Sequence, residues 1–350
     1  MGCALVLSGN IEKDRRFPIF EQRHGEASLV LNPPKARTFG RTPRLVLVLS
    51  ENWTLTPPRE LRALVEMAVV AEEAGFDAVM VSEHIVLGAS AGAGGIMGNP
   101  RDYAMPGNQD PAMPWPSSLV LLSAIAATTT RLRLAACAVI APLRHPLLLA
   151  RELGTLDLLS EGRLVVQPTV SWHRDEYEAL GVPFGKRGAL LDEHLAAWEG
   201  LWRDTPASFA GEHYSYEDVY LEPKAWRPDG PRLWLGGESV HPRLLRRIVR
   251  YADGFHPLGQ PSADDMTLLR DGLAAAGRDL SQLELVGGMR AVFPNDRSPS
   301  PLEPAIASLP AQQERGFTTF CIKPSQFIDD IALYPAWCRE VVERVGEVAA

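Results

Sequence analysis

The stretch Thr128–Gly181, TTTRLRLAACAVIAPLRHPLLLARELGTLDLLSEGRLVVQPTVSWHRDEYEALG, restricts the fold more than any other. Its first apolar run, Leu132–Ala138, has small apolar residues at successive positions, so both faces of that strand are expected to be covered. The turn APLRHP follows. Leu147–Leu159 then places apolar residues three and four apart with Arg151, Glu152 and Asp157 between them, the period of a helix laid on a sheet. Ser160-Glu161-Gly162 ends that helix, and Arg163–Thr169 reads as a second strand running into a polar loop with Ser171, Trp172 and His173. Strand, crossover helix and strand make a parallel βαβ unit, and such units carry their chemistry beyond the strands' C-terminal ends.

The same alternation organises the rest of the chain. Arg44–Ser50 reads as a strand, Pro57-Pro58 open a helix through Ala74 closed by Gly75, and Asp77–Ser82 is a second buried strand leading into Glu83 and His84. Residues 85–116 form a long Gly/Ala/Pro/Asn-rich structureless insertion, read as a lid or substrate loop, or otherwise as disordered. Ser117–Thr130 is a helix that feeds the central unit. Beyond that unit come a helix over Lys186–Arg203, a hairpin over Phe209–Leu221 and a strand at Arg232–Leu235. A helix over Pro242–Ala252, a strand at Asp253–His256 and a helix over Ala263–Ala276 continue the pattern. It closes with a strand at Leu283–Met289, a helix over Leu302–Glu314, a strand at Thr318–Ile322 and a helix over Phe327–Val345. Eight strands alternating with eight helices predict an α/β protein of the (β/α)8 TIM-barrel type, with insertions after strand two and after helix four. The barrel domain is placed at residues 44–346. Residues 1–43, with charge clusters, Pro33-Pro34 and no sustained period, read as an irregular arm that carries no function, and a misassigned start codon is one reading of it.

Composition narrows the partners. With 35 Lys and Arg against 43 Asp and Glu, a net charge of -8 and no basic run, the chain does not look like a binder of nucleic acid or of an anionic membrane. No apolar run is long enough to span a bilayer. Cys3, Cys137, Cys321 and Cys338 are scattered, without metal-ligand spacing, which predicts a reducing cytoplasm and no metal centre.

Reading the strand ends gives the site candidates. His84 is by type a proton donor or acceptor near neutrality, with Glu83 beside it; equally, it is a histidine at a loop start. Gly236-Gly237-Glu238-Ser239 lies between a strand and a helix, so its backbone amides suit a phosphate, unless it is an ordinary turn. Trp172 is a wall for a planar ring or a packed loop residue. Trp53 and Arg290, also at strand ends, are placed with the substrate. Gly88-Ala89-Ser90-Ala91-Gly92 matches the hydrolase pattern GxSxG but lacks the strand and helix that pattern needs, which argues against a nucleophilic Ser90.

The ordered runs TTRLRLAACAVIAPLRHPLLLARELGTLDLLSEGRL, WHRDEYEALGVPFGKRGALLDEHLAAWEGLW, PRLWLGGES and ADGFHP resemble the luciferase-like monooxygenase superfamily, and within it the oxidoreductases that use coenzyme F420. The resemblance spans Arg44–Val345. It implies a bacterial luciferase-like barrel holding the deazaflavin F420, or alternatively FMN, at the C-terminal face, often in a homodimer. His84 then faces the reactive edge of the cofactor, Cys137 and Ala138 form a non-prolyl cis-peptide bulge behind the ring, Gly236, Gly237, Glu238 and Ser239 hold the phosphate, and Trp172 lies beside the ring. The chain departs from the pattern at Gln167–Trp172, where many relatives are glycine-rich, and Glu83 replaces a commoner aspartate. The expected activity is hydride transfer between F420 and a small organic substrate. The alternatives are an FMN-dependent monooxygenase fed by a separate reductase and a non-catalytic flavin binder.

Overall fold

The computed structural model describes residues 42–349; the arm read over residues 1–43 lies, apart from its last two residues, outside them. Eight parallel strands close into a barrel. They are β1 (Arg44–Val48), β2 (Ala78–Val81), β3 (Arg133–Ile140), β4 (Leu164–Thr169), β7 (Arg232–Leu235), β8 (Gly254–Phe255), β9 (Glu284–Gly288) and β10 (Thr319–Ile322). The two remaining strands, β5 (Ala207–Ala210) and β6 (Ser215–Val219), pair with each other as the expected hairpin. Ring order is β1-β10-β9-β8-β7-β4-β3-β2, so each strand lies beside its neighbours along the chain, as βα repeats require.

Side chains alternate across the barrel wall with period two. Val46, Val48, Met80, Ala135 and Cys137 point into the interior cluster with Trp234, while Leu45, Leu47, Val79, Leu134 and Ala136 belong to the layer beneath the helices. Those helices are α1 (Leu61–Ala74), α2 (Ser118–Thr128), α3 (Pro146–Leu159), α4 (Arg174–Ala179), α5 (Arg187–Arg203), α6 (Pro242–Tyr251), α7 (Ala263–Ala275), α8 (Glu303–Ala307), α9 (Leu309–Glu314) and α10 (Tyr334–Ala349). Two buried tryptophans tie α5 to α3, Trp198 donating to the Pro146 carbonyl at 3.2 Å and Trp202 to that of Ala150 at 3.2 Å. Among the described residues no helix is long and apolar enough to cross a membrane.

Four local differences from the sequence reading have simple causes. The helix expected over Leu302–Glu314 is two short ones, α8 and α9, because Pro310 lacks the N–H that would carry the ladder past Ser308. The closing helix begins at Tyr334 instead of Phe327, because Asp330 accepts the Ala332 amide at 2.9 Å and holds a capped turn first. The polar loop after β4 contains α4, whose six residues are too few to show a period. Residues 85–116, read as structureless, are a turn-rich excursion with a 3-10 turn at Ala89–Gly92, pinned by Asn99 to the carbonyls of Asn295 and Ser298 at 3.0 Å each.

The N-terminal end of the barrel is closed by charge. Glu284, 1% exposed, receives both terminal nitrogens of Arg133 at 2.8 Å and the Thr319 hydroxyl at 2.6 Å, with Arg44 at 3.4 Å. Burial alone would raise its carboxyl, but Arg133 and Arg44 outweigh it and hold the group below the ordinary glutamate value. Removing one side of such a pair leaves the other charged and buried. Glu284→Ala is therefore expected to lower the unfolding free energy by about 3–5 kcal/mol, read as a fall in the urea midpoint.

Candidate active site

At the opposite end, Glu83 and His84 follow β2 and face different partners. Glu83 is buried and takes four hydrogen bonds: Ser118 Oγ at 2.9 Å, the Ile140 amide at 2.9 Å, and Arg144 at 2.7 and 3.0 Å. It ties the end of β2 to α2 and to the end of β3. The sequence reading placed it beside His84 as an acid or base; with its oxygens taken up by these donors, it shapes the loop that carries His84.

His84 instead meets a carboxylate from across the rim. Its Nδ1 lies 3.1 Å from Oε1 of Glu176 in α4. Glu176 is fully buried and also accepts the Ser171 hydroxyl at 2.7 Å and the Ile85 amide at 3.2 Å. Ser171 reaches it from a left-handed backbone, φ 56°, which costs about 1 kcal/mol or more in a residue with a Cβ. A carboxylate at Nδ1 fixes the proton there in the neutral ring, which leaves Nε2 as the exchangeable nitrogen. Among the described residues Nε2 has no hydrogen-bond partner. Trp115 from the excursion and Trp172 flank the imidazole edge-on, with centroids 5.1 and 5.7 Å away. Beneath them buried His173 accepts the Gly88 amide at Nε2, 2.8 Å, which seats the excursion on the barrel. Burial pulls the His173 pKa below the ordinary imidazole value, as an acceptor ring requires.

The floor of the mouth is formed by Trp234, Cys137, Cys321, Gln167 and His256. The Cys137–Ala138 peptide is cis, and the β3–β4 register slips between Cys137 and Val139, so Ala138 has no partner across the ladder. Burial pushes the Cys137 thiol well above its ordinary value, which makes it a packed thiol and no nucleophile. His256 donates from Nδ1 to Gln167 Oε1 at 2.6 Å, and Gln167 Nε2 returns a bond to the His256 carbonyl at 3.2 Å. Across the mouth the excursion inserts Tyr103 against the interior cluster, its ring 5.1 Å from the ammonium of Lys323. Lys323 is fully buried and donates to the Asp102 carbonyl at 3.0 Å. Burial pulls its ammonium below the ordinary lysine value, against the opposing pull of Glu51 and Asp102.

On the adjoining rim is the turn Gly236–Ser239. A Cβ on Gly236 would stand 1.7 Å from the His256 carbonyl oxygen, so only glycine fits there. Among the described residues the amides of Gly237, Glu238 and Ser239 donate to no protein acceptor, and α6 begins three residues later. Free amides ahead of a helix are what a phosphate needs; the exposed Glu238 side chain contributes nothing to that. Trp53 packs on the helix-facing core and lines a cavity of ≈ 10 Å³ with Glu51 and Trp115, and Arg290 is exposed beyond β9. Ser90 lies in the 3-10 turn, its amide donating to Asp175 at 3.2 Å. Among the described residues no group of three His, Cys, Asp or Glu side chains is arranged to hold a metal ion.

Sequence reasoning named His84 as a candidate and did not single out Glu176, Trp115 or Tyr103. All three meet their partners through contacts between segments far apart in the chain; Glu176 is 92 residues from His84.

The structure is thus a (β/α)8 barrel with an imidazole, buried thiols and aromatics, and a turn of free backbone amides at one mouth. The luciferase-like monooxygenase family matches residues 42–313, and the chain belongs to it. It is 29% identical over 278 residues to an F420-dependent glucose-6-phosphate dehydrogenase of Nakamurella multipartita, covering 75% of this chain and 70% of that protein. It is 30% identical over 125 residues to an FMNH2-dependent dimethylsulfone monooxygenase of Pseudomonas putida, covering 35% of this chain and 34% of that one. The fold matches the monooxygenase RslO1 of Streptomyces bottropensis with a TM-score of 0.65 at 19% identity, covering 88% of this chain and 100% of that one.

Burial lowers the His256 pKa from 6.5 to about 4, so the native state holds this ring neutral while the unfolded chain protonates it first. The associated stability is complete above pH 6.5 and is lost as the pH falls towards 4. Urea unfolding is expected to show a loss of about 2–3 kcal/mol from this group between neutral and mildly acidic pH. A His256→Gln variant should lose correspondingly less over the same interval.

Proposed function

We propose that the chain is an F420-dependent oxidoreductase that moves a hydride between the deazaflavin and a small organic substrate, a carbonyl compound or the matching alcohol. The observation that carries this reading is the His84–Glu176 pair, which leaves Nε2 unpartnered on the rim of the barrel mouth. Three features of the chain fit the cofactor. The free amides of Gly237–Ser239 suit its phosphate, the surface formed by Cys137, Ala138 and the Gln167–His256 pair suits a flat ring, and Trp172 suits its edge. When bound, F420 supplies a two-electron hydride donor or acceptor.

The protein supplies the proton. With its proton count completed at Nε2, His84 gives that proton to the oxygen of a carbonyl substrate; in the opposite direction neutral Nε2 takes it from the alcohol. Glu176 positions the ring through Nδ1, and Glu83 holds the loop through Arg144. Trp115, Trp172 and the excursion with Tyr103 cover the centre and exclude water. Trp53 and Arg290 then belong to the outer substrate wall. F420 is preferred because the F420-dependent relative aligns over 75% of the chain and the FMNH2-dependent one over 35%. The same reading carries a cytoplasmic enzyme, consistent with the buried free thiols of Cys137, Cys321 and Cys338, and a homodimer, as the resemblance implies.

Parallel titration of the purified protein with F420 and FMN, each oxidised and reduced and followed by fluorescence, is expected to show F420 binding at least tenfold tighter. A preference for reduced FMN would replace this reading with a monooxygenase served by a separate reductase. Given F420 binding, His84→Ala should keep affinity within a few-fold while turnover falls by about 10²–10⁴. Glu176→Gln should cost less, roughly tenfold, with the affinity for the cofactor kept. Full turnover by His84→Ala would remove the histidine from the reaction.

A further inference from the structure

We propose that the rim beside the phosphate turn carries a subsite for a polycarboxylate, built from Arg174 and Arg187 around Phe184 with Arg243 beside Gly188, and that it takes the oligoglutamate tail of F420. This rests on the F420 reading above and adds what would separate that cofactor from FMN. FMN ends at one phosphate, whereas F420 continues past its phosphate into a chain of carboxylates. A site that prefers F420 needs cations outside the phosphate turn.

Exposed Arg290 lies beyond β9, and the other obvious cations are committed elsewhere. Arg144 is held by Glu83, Lys323 lies buried under Tyr103, and Arg133 and Arg44 close the far end of the barrel. Three others converge instead. Arg174 opens α4 two residues after Trp172, Arg187 opens α5, and Arg243 is the second residue of the helix into which Gly236–Ser239 leads. The guanidinium carbons of Arg174 and Arg187 lie 4.5 and 3.8 Å from the Phe184 ring centroid, a stacking that orients the planes and leaves N–H edges for bidentate contact with carboxylates. Arg187 donates to the Phe184 carbonyl at 3.0 Å, its Nε has no partner although it is buried, and among the described residues no carboxylate pairs with it.

Arg243 reaches Gly188, the residue after Arg187. A Cβ there would stand 2.5 Å from Arg243 Nη1, so the glycine makes room, and Arg247 fixes α6 against it through the Gly188 carbonyl at 2.7 Å. Beside the stack, a Cβ on Gly185 would meet nothing within 4 Å, so the space there is open. The opposing acids are Glu178, 3.9 Å from Arg174 with both side chains well exposed, Asp192, 3.6 Å from Arg243 and 2.6 Å from Arg247, and Glu212, which pairs with Lys186 at 3.1 Å. None of them is paired with Arg187.

The test compares F420 bearing several glutamates with the same molecule stripped of them, by fluorescence titration at low and moderate salt, with tetraglutamate as a separate probe. Wild type is expected to bind the glutamylated form about tenfold tighter, with the gap shrinking as salt rises. The double variant Arg174→Gln, Arg187→Gln should abolish the gap while keeping the affinity for the stripped form and an unchanged Tm. Equal affinities for the two forms in wild type would overturn the subsite and leave the F420 reading standing. Binding of neither form would overturn both. A gap that survives the double variant would overturn the placement at Phe184. Arginine-dependent binding of tetraglutamate without any gap would assign the subsite to an acidic substrate and overturn its assignment to the cofactor.

Discussion

A closed ring of parallel strands has neither a free edge nor a wet face, and that constraint organises the molecule. Every strand is covered by side chains inside and helices outside, so a charged group is tolerated only where a strand ends. At the N-terminal end those groups neutralise one another: Glu284 is matched by Arg133, Arg44 and Thr319. At the C-terminal end they are kept apart. Glu83 is satisfied by Arg144, which leaves His84 to Glu176, and Lys323 finds a carbonyl and an aromatic ring in place of a carboxylate. One end of the barrel is thus stabilised and the other left reactive.

The excursion over residues 85–116 belongs to that second end. It contributes Trp115 to the wall around His84 and Tyr103 to the interior cluster, and it is held by His173, Asn99 and Lys323. Most of these anchors are single hydrogen bonds to backbone amides or carbonyls. Each contributes on the order of 1 kcal/mol, added to the packing of Tyr103 against the interior cluster.

Much of the architecture was legible because it rests on periodicity. The run from Leu132 to Thr169 specified a parallel unit through its apolar spacing, and strand β7 was placed to the residue because Gly236 ends it abruptly. The reading failed where a single residue overrides a period, at Pro310 and Asp330, and where an element is shorter than its own period, as in α4. His84 was identified as a residue type at a strand end. Glu176 was not, since nothing local distinguishes it from the exposed glutamates around it.

Apolar spacing along the chain therefore specified the class of fold, and residue type at a strand end singled out His84 as a candidate. These follow from patterns repeated along the chain and from where polar residues interrupt them. The partnerships come from tertiary contacts alone: which glutamate faces His84 and which arginine Glu83 holds. The physical reason is range. A hydrogen bond or ion pair forms only within about 3–4 Å, and closing the barrel brings to that distance residues that the chain keeps tens of positions apart.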